Sequence, residues 1–388
     1  MKSMFKKVFA AAMTLAMILG LTACGSKGYT ANHTEFVIGF SGPLTGPAAV
    51  YGVAVQNSAQ MAVDEINAAG GLNGVKFKLL ATDDTHDATK VAANYASMLE
   101  GGMQVSLGTV TTAPGLEFNN LSAEDNVFFI TPSASGDDIP KNDNGFQMCF
   151  ADGNQGKVAA DYVNSIGIKK IGIFYKSDDA YSNGIFKQFK ENLDSSIETV
   201  EAVFTAANET DFSAQITTLK DCEFIFMPIY YTPASIFMTQ AKDTVAADAV
   251  YYGCDGFDGL AGQFEDFSVI PQEVSMLSHF DSNATEGAAA DFIKKYTDKF
   301  GTDTLNQFGA SAYDCVYAIY NAMKAAIDAG EEIDVTISAS DLCDILKAQF
   351  TGDFSYSGVT GNNITWEDNG YVSKEAVKYT LKAANSAQ

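Results

Sequence analysis

No arginine occurs anywhere in the chain, so all 24 of its basic side chains are lysines, set against 48 aspartates and glutamates. A guanidinium fork is the usual clamp for a phosphate or a second carboxylate. Its absence tilts the chain away from phosphorylated ligands and acidic amino acids, although lysine can still act as a point charge. The formal net charge of −24 makes nucleic acid and anionic lipid surfaces poor partners. Histidine is scarce as well: His33, His86 and His279 are the only imidazoles. No GxSxG, no GxxxxGK[ST], no HExxH and no dinucleotide GxGxxG is present. Nothing therefore supports an enzyme, and no catalytic residue, metal site or cofactor is assigned. The run Asp83-Asp84-Thr85-His86-Asp87 has metal-ligating residue types, but consecutive carboxylates at a strand end more often begin the next helix.

Paired cysteine motifs are missing too. Beyond Cys24 the cysteines are Cys149, Cys222, Cys254, Cys315 and Cys343, an odd number without CxxC spacing, which argues against zinc. Four of the five lie in apolar or helical stretches, where a free thiol behaves as a small core residue. One disulfide is possible, and the sequence does not choose its pair. After residue 24 no stretch is long and apolar enough to span a bilayer as a helix.

The first 24 residues are different. Lys2, Lys6 and Lys7 precede an apolar run over 8–21, and Leu21-Thr22-Ala23-Cys24 closes it. Charged start, short apolar run and small-residue end are the order of a secretory signal. The ending resembles a bacterial lipobox. That resemblance implies removal of residues 1–23, acylation of Cys24, and a mature protein held outside the cell membrane by a lipid, with 24–34 as linker.

From residue 35 the pattern is repeated βα. Strands are predicted over 35–40, 77–81, 104–108 and 127–131, alternating with helices over 53–68, 87–100 and 114–124. In the helix over 53–68, Val55, Ala59, Ala62 and Ile66 fall at helical spacing, and Gly70-Gly71 suits a left-handed cap. A second series follows, with strands over 170–175, 199–204, 223–228 and 249–253 and helices over 154–166, 182–194, 211–220 and 233–243. After about residue 281 the pattern turns helical, over 285–300, 306–329 and 339–350. Segments 364–367 and 371–381, joined by Asp368-Asn369-Gly370, read as a hairpin. Short strands separated by helices imply parallel sheets covered on both faces. The length suits two such lobes. The fold class is α/β, with two doubly wound parallel-sheet lobes.

In open α/β sheets, ligands bind beyond the carboxyl ends of the strands. That rule selects the loops carrying Tyr51, Thr112, Ser133, Ala134 and Ser135 in the first series, and Tyr181, Tyr231 and Asp255 in the second. Hydroxyls and free N–H groups at neighbouring strand ends make a neutral site for one carboxylate. Asp255 across a cleft can pair with an ammonium, and tyrosines can wall an apolar side chain. Singly, each of these residues is more often a cap, a turn or a packing residue.

Several segments together resemble the substrate-binding proteins of branched-chain amino acid ABC transporters. They are Ile38-Gly39-Phe40-Ser41-Gly42-Pro43 with Tyr51-Gly52, the INxxGGxxG run Ile66-Asn67-Ala68-Ala69-Gly70-Gly71-Leu72-Asn73-Gly74, Asp83-Asp84, Ile130-Thr131-Pro132-Ser133-Ala134-Ser135, and Thr365-Trp366. The resemblance implies a two-lobed, type I periplasmic binding fold with a hinge of several crossings. It places 35–152 and 282–357 in the N-terminal lobe, and 153–281 and 358–388 in the C-terminal lobe. It implies α-carboxylate contacts at Thr112, Ser133 and Ser135, ammonium contacts at Ser133, Ser135 and Asp255, and side-chain contacts at Tyr51, Tyr181, Tyr231 and Phe308. The implied partners are a small zwitterionic amino acid and the permease and ATPase subunits of an importer, with the protein itself a monomer. The chain departs from the family in Thr111-Thr112-Ala113-Pro114-Gly115 where a serine-rich loop is usual, in Asp255 where glutamate is usual, and in His86 and Thr111 where a disulfide is typical. A sensor subunit of the same fold, or a carrier of a short amide, urea or an aromatic acid, are the alternatives.

Overall fold

The computed structural model describes residues 34–384, so Cys24 and the leader lie outside the described residues. Two sheets carry the fold. The first holds β1 (Glu35–Gly42), β2 (Lys76–Asp83), β3 (Val105–Ser106), β4 (Phe129–Thr131) and β5 (Gly145–Gln147) in the order β2-β1-β3-β4-β5, parallel throughout. Its connecting helices are α1 (Ala49–Ala68), α2 (Val91–Glu100) and α3 (Thr112–Asp125). The second sheet holds β6 (Lys170–Lys176), β7 (Glu198–Phe204), β8 (Phe224–Met227), β9 (Val250–Gly253), β10 (Glu273–Ser278) and β11 (Val377–Lys382), in the order β11-β10-β9-β8-β6-β7. Only β11 runs antiparallel. Its helices are α4 (Asp152–Ser165), α5 (Ala180–Asn192), α6 (Ser213–Leu219) and α7 (Tyr231–Ala241). The late helices α8 (Gly287–Phe300), α9 (Gln307–Asp328) and α10 (Ala339–Phe350) return to the first sheet, α9 packing along α1 and α10 against β3.

Burial on both faces explains the strand sequences. Every residue of β1 after Glu35 is buried, as a parallel strand covered by helices requires, and Phe36, Ile38 and Phe40 enter the main core. On α1, Val55, Ala59, Ala62 and Ile66 all face that core. The helix closes as the glycines suggest: Gly70 and Gly71 take φ of 107° and 72°, and the Gly71 N–H donates to the Ile66 carbonyl at 2.9 Å. Asn67 has its own task in that motif. Its side chain accepts from Phe77 N and donates to Phe77 O, both at 2.8 Å, and so fixes the start of β2.

The structure corrects several expectations. Helix α1 starts at Ala49, four residues earlier than the predicted 53, and Gly52 inside it lets the loop at Pro43 pass where any Cβ would lie 2.2 Å from the Pro43 carbonyl oxygen. Strands β5 and β10 were not predicted: β5 is three residues long, and the serines of Glu273–Ser278 interrupt its apolar run. The Asp368-Asn369-Gly370 turn forms, with Gly370 at φ 82° and a Trp366–Val372 bridge, but the hairpin ends there. The rest of its second arm leaves to pair with β10. Cys149, Cys222, Cys254, Cys315 and Cys343 are all buried free thiols, so no pair among them is bridged.

Candidate functional site

The first sheet reverses its winding between β1 and β3, and the second between β6 and β8, so each opens a crevice at the carboxyl end of its strands. The loops from these ends meet in one narrow cavity. Tyr51, Thr112, Ser133, Ser135 and Phe308 line it from the first-sheet side, and Tyr181 and Asp255 from the second. Val110, Thr111, Tyr230 and Gly256 complete the wall.

Two residues expected there do not line it. Ala134 is held into the first lobe's core: its N–H donates to Thr131 Oγ1 at 2.9 Å, and its carbonyl accepts from Gln147 Nε2 at 3.2 Å. Tyr231 is replaced by its neighbour Tyr230. Tyr230 is the extended residue before α7 (φ −74°, ψ 161°), which leaves its ring at the loop apex. Tyr231, the first helical residue, instead turns its ring edge-on to Tyr51 with centroids 4.9 Å apart, and its hydroxyl accepts from Val50 N at 3.4 Å. Pro233 two residues on suits a helix's first turn, a sequence signal that could have placed Tyr230 at the cap.

Hydrogen bonds cross between the two sides. Tyr51 Oη donates to the Gly256 carbonyl at 2.6 Å. Thr232 Oγ1 donates to the Pro47 carbonyl at 2.9 Å. Within the second side, Tyr181 Oη donates to Asp255 Oδ1 at 2.6 Å and accepts from Gly256 N at 2.9 Å. His86 Nδ1 lies 2.9 Å from Thr111 Oγ1, where a disulfide is typical of the resembling family, and its ring meets Tyr230 edge-on at 5.2 Å. The neighbouring carboxylates cap turns: Asp83 accepts from Leu44 N and Thr85 N, each at 2.9 Å, and Asp84 accepts from His86 N at 2.9 Å.

Charge is distributed to match. Asp255 is 2% exposed, and burial pushes its carboxyl up to about 6, against the pull of the Tyr181 bond. Burial likewise raises the phenols of Tyr51, Tyr181 and Tyr230. On the opposite side the groups are neutral. Thr112 sits in the first turn of α3, where N–H groups are free and the helix dipole is positive. Its Oγ1 is buried and has no hydrogen-bond partner. A buried hydroxyl left unpaired costs about 1–3 kcal/mol unless something supplies the bond. The cavity thus has a carboxylate at one end and, at the other, the unpaired Thr112 hydroxyl at the N-terminus of α3, which is the complement of a zwitterion.

The model of the periplasmic binding protein family matches residues 35–384. The chain belongs to that family. This binding protein is 30% identical to the Leu/Ile/Val-binding protein BraC3 of Rhizobium johnstonii over 323 residues, which are 80% of this chain and 84% of the relative. Among solved structures it is similar to the branched-chain amino acid transporter substrate-binding protein LivJ of Streptococcus pneumoniae in complex with isoleucine, at 27% identity and a TM-score of 0.76, covering 89% of this chain and all of that one. A solute-binding protein of Rhodopseudomonas palustris in complex with 3,4-dihydroxybenzoic acid, 16% identical with a TM-score of 0.77, covers 90% of this chain and 94% of that one. At that identity the likeness establishes the fold alone. The binding protein is thus related to the branched-chain amino acid substrate-binding proteins and has their two-sheet α/β fold. Among its described residues no helix is long and apolar enough to cross a membrane.

Proposed function

We propose that this chain is the extracytoplasmic solute-binding component of an ABC importer for a small zwitterionic amino acid with a hydrophobic side chain. The observation that carries the reading is the facing of the buried Asp255 carboxylate by the unpaired Thr112 hydroxyl within one cavity. The α-carboxylate lies against Thr112, Ser133 and Ser135 and the free N–H groups of the first turn of α3. The ammonium lies against Asp255. Tyr51, Tyr181, Tyr230 and Phe308 surround the side chain.

Residues 35–152 and 282–357 form one lobe, with 358–372 packed on it rather than on the other as expected, since Trp366 Nε1 donates to the Gln147 carbonyl at 2.7 Å and Thr360 N to Asp314 at 2.8 Å; residues 153–281 with β11 form the other. A ligand that touches both lobes favours the closed form, because only there are all its contacts made. Cys24 holds the protein at the membrane by a lipid and so concentrates the loaded form near its permease. The relationship to BraC3 and to the isoleucine-bound LivJ supports this choice of cargo. Titration calorimetry with leucine, isoleucine, valine, alanine, phenylalanine and short amides tests it. Saturable, one-to-one binding of an amino acid is expected, and failure of every amino acid to bind overturns the reading.

A further inference from the structure

We propose that Asp258 is a positioning residue for the bound amino acid: from the second-sheet side of the cleft it caps the first N–H of α9 on the opposite side, and so holds the Asp255 turn against Phe308 in the closed form. The proposal rests on the amino-acid reading above and adds to it a contact that slows release.

The N-terminus of α9 faces protein instead of water. Asn306 and Phe308 are buried, and Gln307 between them is 0% exposed. The first N–H groups of a helix have no partner within it, and in so dry a place each one left unpaired is costly. Two caps serve α9. Asn306, the residue before the helix, accepts from Gly309 N at 2.9 Å. Gln307 N, at the first helical position, donates to Asp258 Oδ2 at 2.9 Å. Asp258 comes from the other side of the cleft, in the segment that follows β9 of the second sheet.

The same residue closes the turn that carries the ammonium partner. Asp258 N donates to the Asp255 carbonyl at 2.9 Å and ends the short turn Asp255–Phe257. Its side chain therefore ties that turn to α9, where Phe308, one residue past Gln307, lines the cavity. Gly259 lets the two sides meet here: its φ is 91°, and a Cβ on it would lie 3.0 Å from Val50 Cγ1. The Val50 carbonyl in turn accepts from Asn306 Nδ2 at 3.2 Å. Burial pushes the Asp258 carboxyl up to about 6 against the pull of the Gln307 bond. The helix end thus gains a hydrogen-bond acceptor from Asp258 more than it gains a charge. As the two sides part, Gln307 N and the carboxyl both return to water. The bond counts toward the closed form alone, and what it favours it also slows from opening.

The test is stopped-flow fluorescence on the ligand-stripped full chain, with whichever of valine, leucine and isoleucine the wild type binds most tightly, repeated on Asp258→Ala and Asp258→Asn after circular dichroism confirms folding. Asp258→Ala strips a buried N–H of its acceptor, so the dissociation rate should rise roughly five- to hundredfold while the association rate stays within about threefold of wild type. Asparagine caps a helix about as well as aspartate, so Asp258→Asn should stay within about threefold of wild type in both rates. If Asp258→Ala does not fold, Gln307→Pro takes its place with the same expectation, because it deletes the donor at the helix position where proline is tolerated. Unchanged dissociation from Asp258→Ala overturns the assignment and leaves the amino-acid reading intact. So does an Asp258→Asn as impaired as Asp258→Ala, or a loss of affinity carried by slower association. Absence of binding by every amino acid to the wild type overturns the reading on which the proposal rests.

Discussion

Replacing Asp255 by asparagine should move stability and binding in opposite directions. The wild-type carboxyl is 2% exposed, and burial raises it from 3.8 to about 6 in the ligand-free chain. A shift of about two units corresponds to about 3 kcal/mol by which burial of the charged form opposes folding. The folded chain holds this proton more tightly than the unfolded chain. Its stabilising effect is therefore present below about 3.8 and lost as pH rises through about 6. At pH 7.5 ligand-free Asp255→Asn should be more stable than wild type by up to about 3 kcal/mol, and the gap should close as pH falls from 6 toward 4. Binding should respond the other way. Removing the charge that faces a buried ammonium costs about 2–5 kcal/mol, or roughly thirty-fold to several-thousand-fold in affinity. Wild-type affinity should itself be flat above about pH 7 and fall by up to tenfold per unit below 6, because the carboxyl must then shed a proton to receive the ammonium. Urea denaturation followed by circular dichroism at several pH values, with calorimetry on the same samples, measures both effects. A variant that is less stable at every pH, or that binds amino acid as the wild type does, refutes the reasoning.

Two further substitutions probe the rest of the cleft. Thr112→Val removes a buried hydroxyl that has no partner in the ligand-free chain, so the melting temperature should hold or rise while affinity falls about tenfold, a loss of ~1–1.5 kcal/mol; a lower melting temperature with unchanged affinity would make Thr112 a structural residue. Tyr51→Phe deletes the 2.6 Å bond to the Gly256 carbonyl across the cleft. It should weaken binding about five- to tenfold by the same arithmetic, and small-angle scattering of the ligand-free variant should report a larger radius of gyration. An unchanged radius with unchanged affinity would remove that bond from the closing contacts.

Much of this was legible in the residues, for physical reasons that also explain the gaps. Strands buried on both faces are near-continuous apolar runs, so β1 and β6 declare themselves, and helices such as α1 show their buried face through spacing. Where the fold meets its burial by other means, the pattern fades. Strand β10 is flanked by strands on both sides yet carries two serines, and β11 is nowhere fully buried along its length. The strand-end rule located the loops that build the cavity, because topology fixes where the crevice opens. It could not separate Tyr230 from Tyr231, since one residue of helix phase decides which ring enters the cleft. Nor could it foresee the brace behind that ring. The His86 contacts join residues 25 and 144 positions apart, which only the folded chain brings together.

The central claim, an amino acid held between Asp255 and the α3 turn, is tested most directly by a crystal structure of the protein with its amino acid bound. The ammonium should lie within hydrogen-bonding distance of the Asp255 carboxylate, the α-carboxylate against Thr112, Ser133 and Ser135, and the side chain against Tyr230. A ligand bound elsewhere, or bound with its carboxylate toward Asp255, would contradict the account.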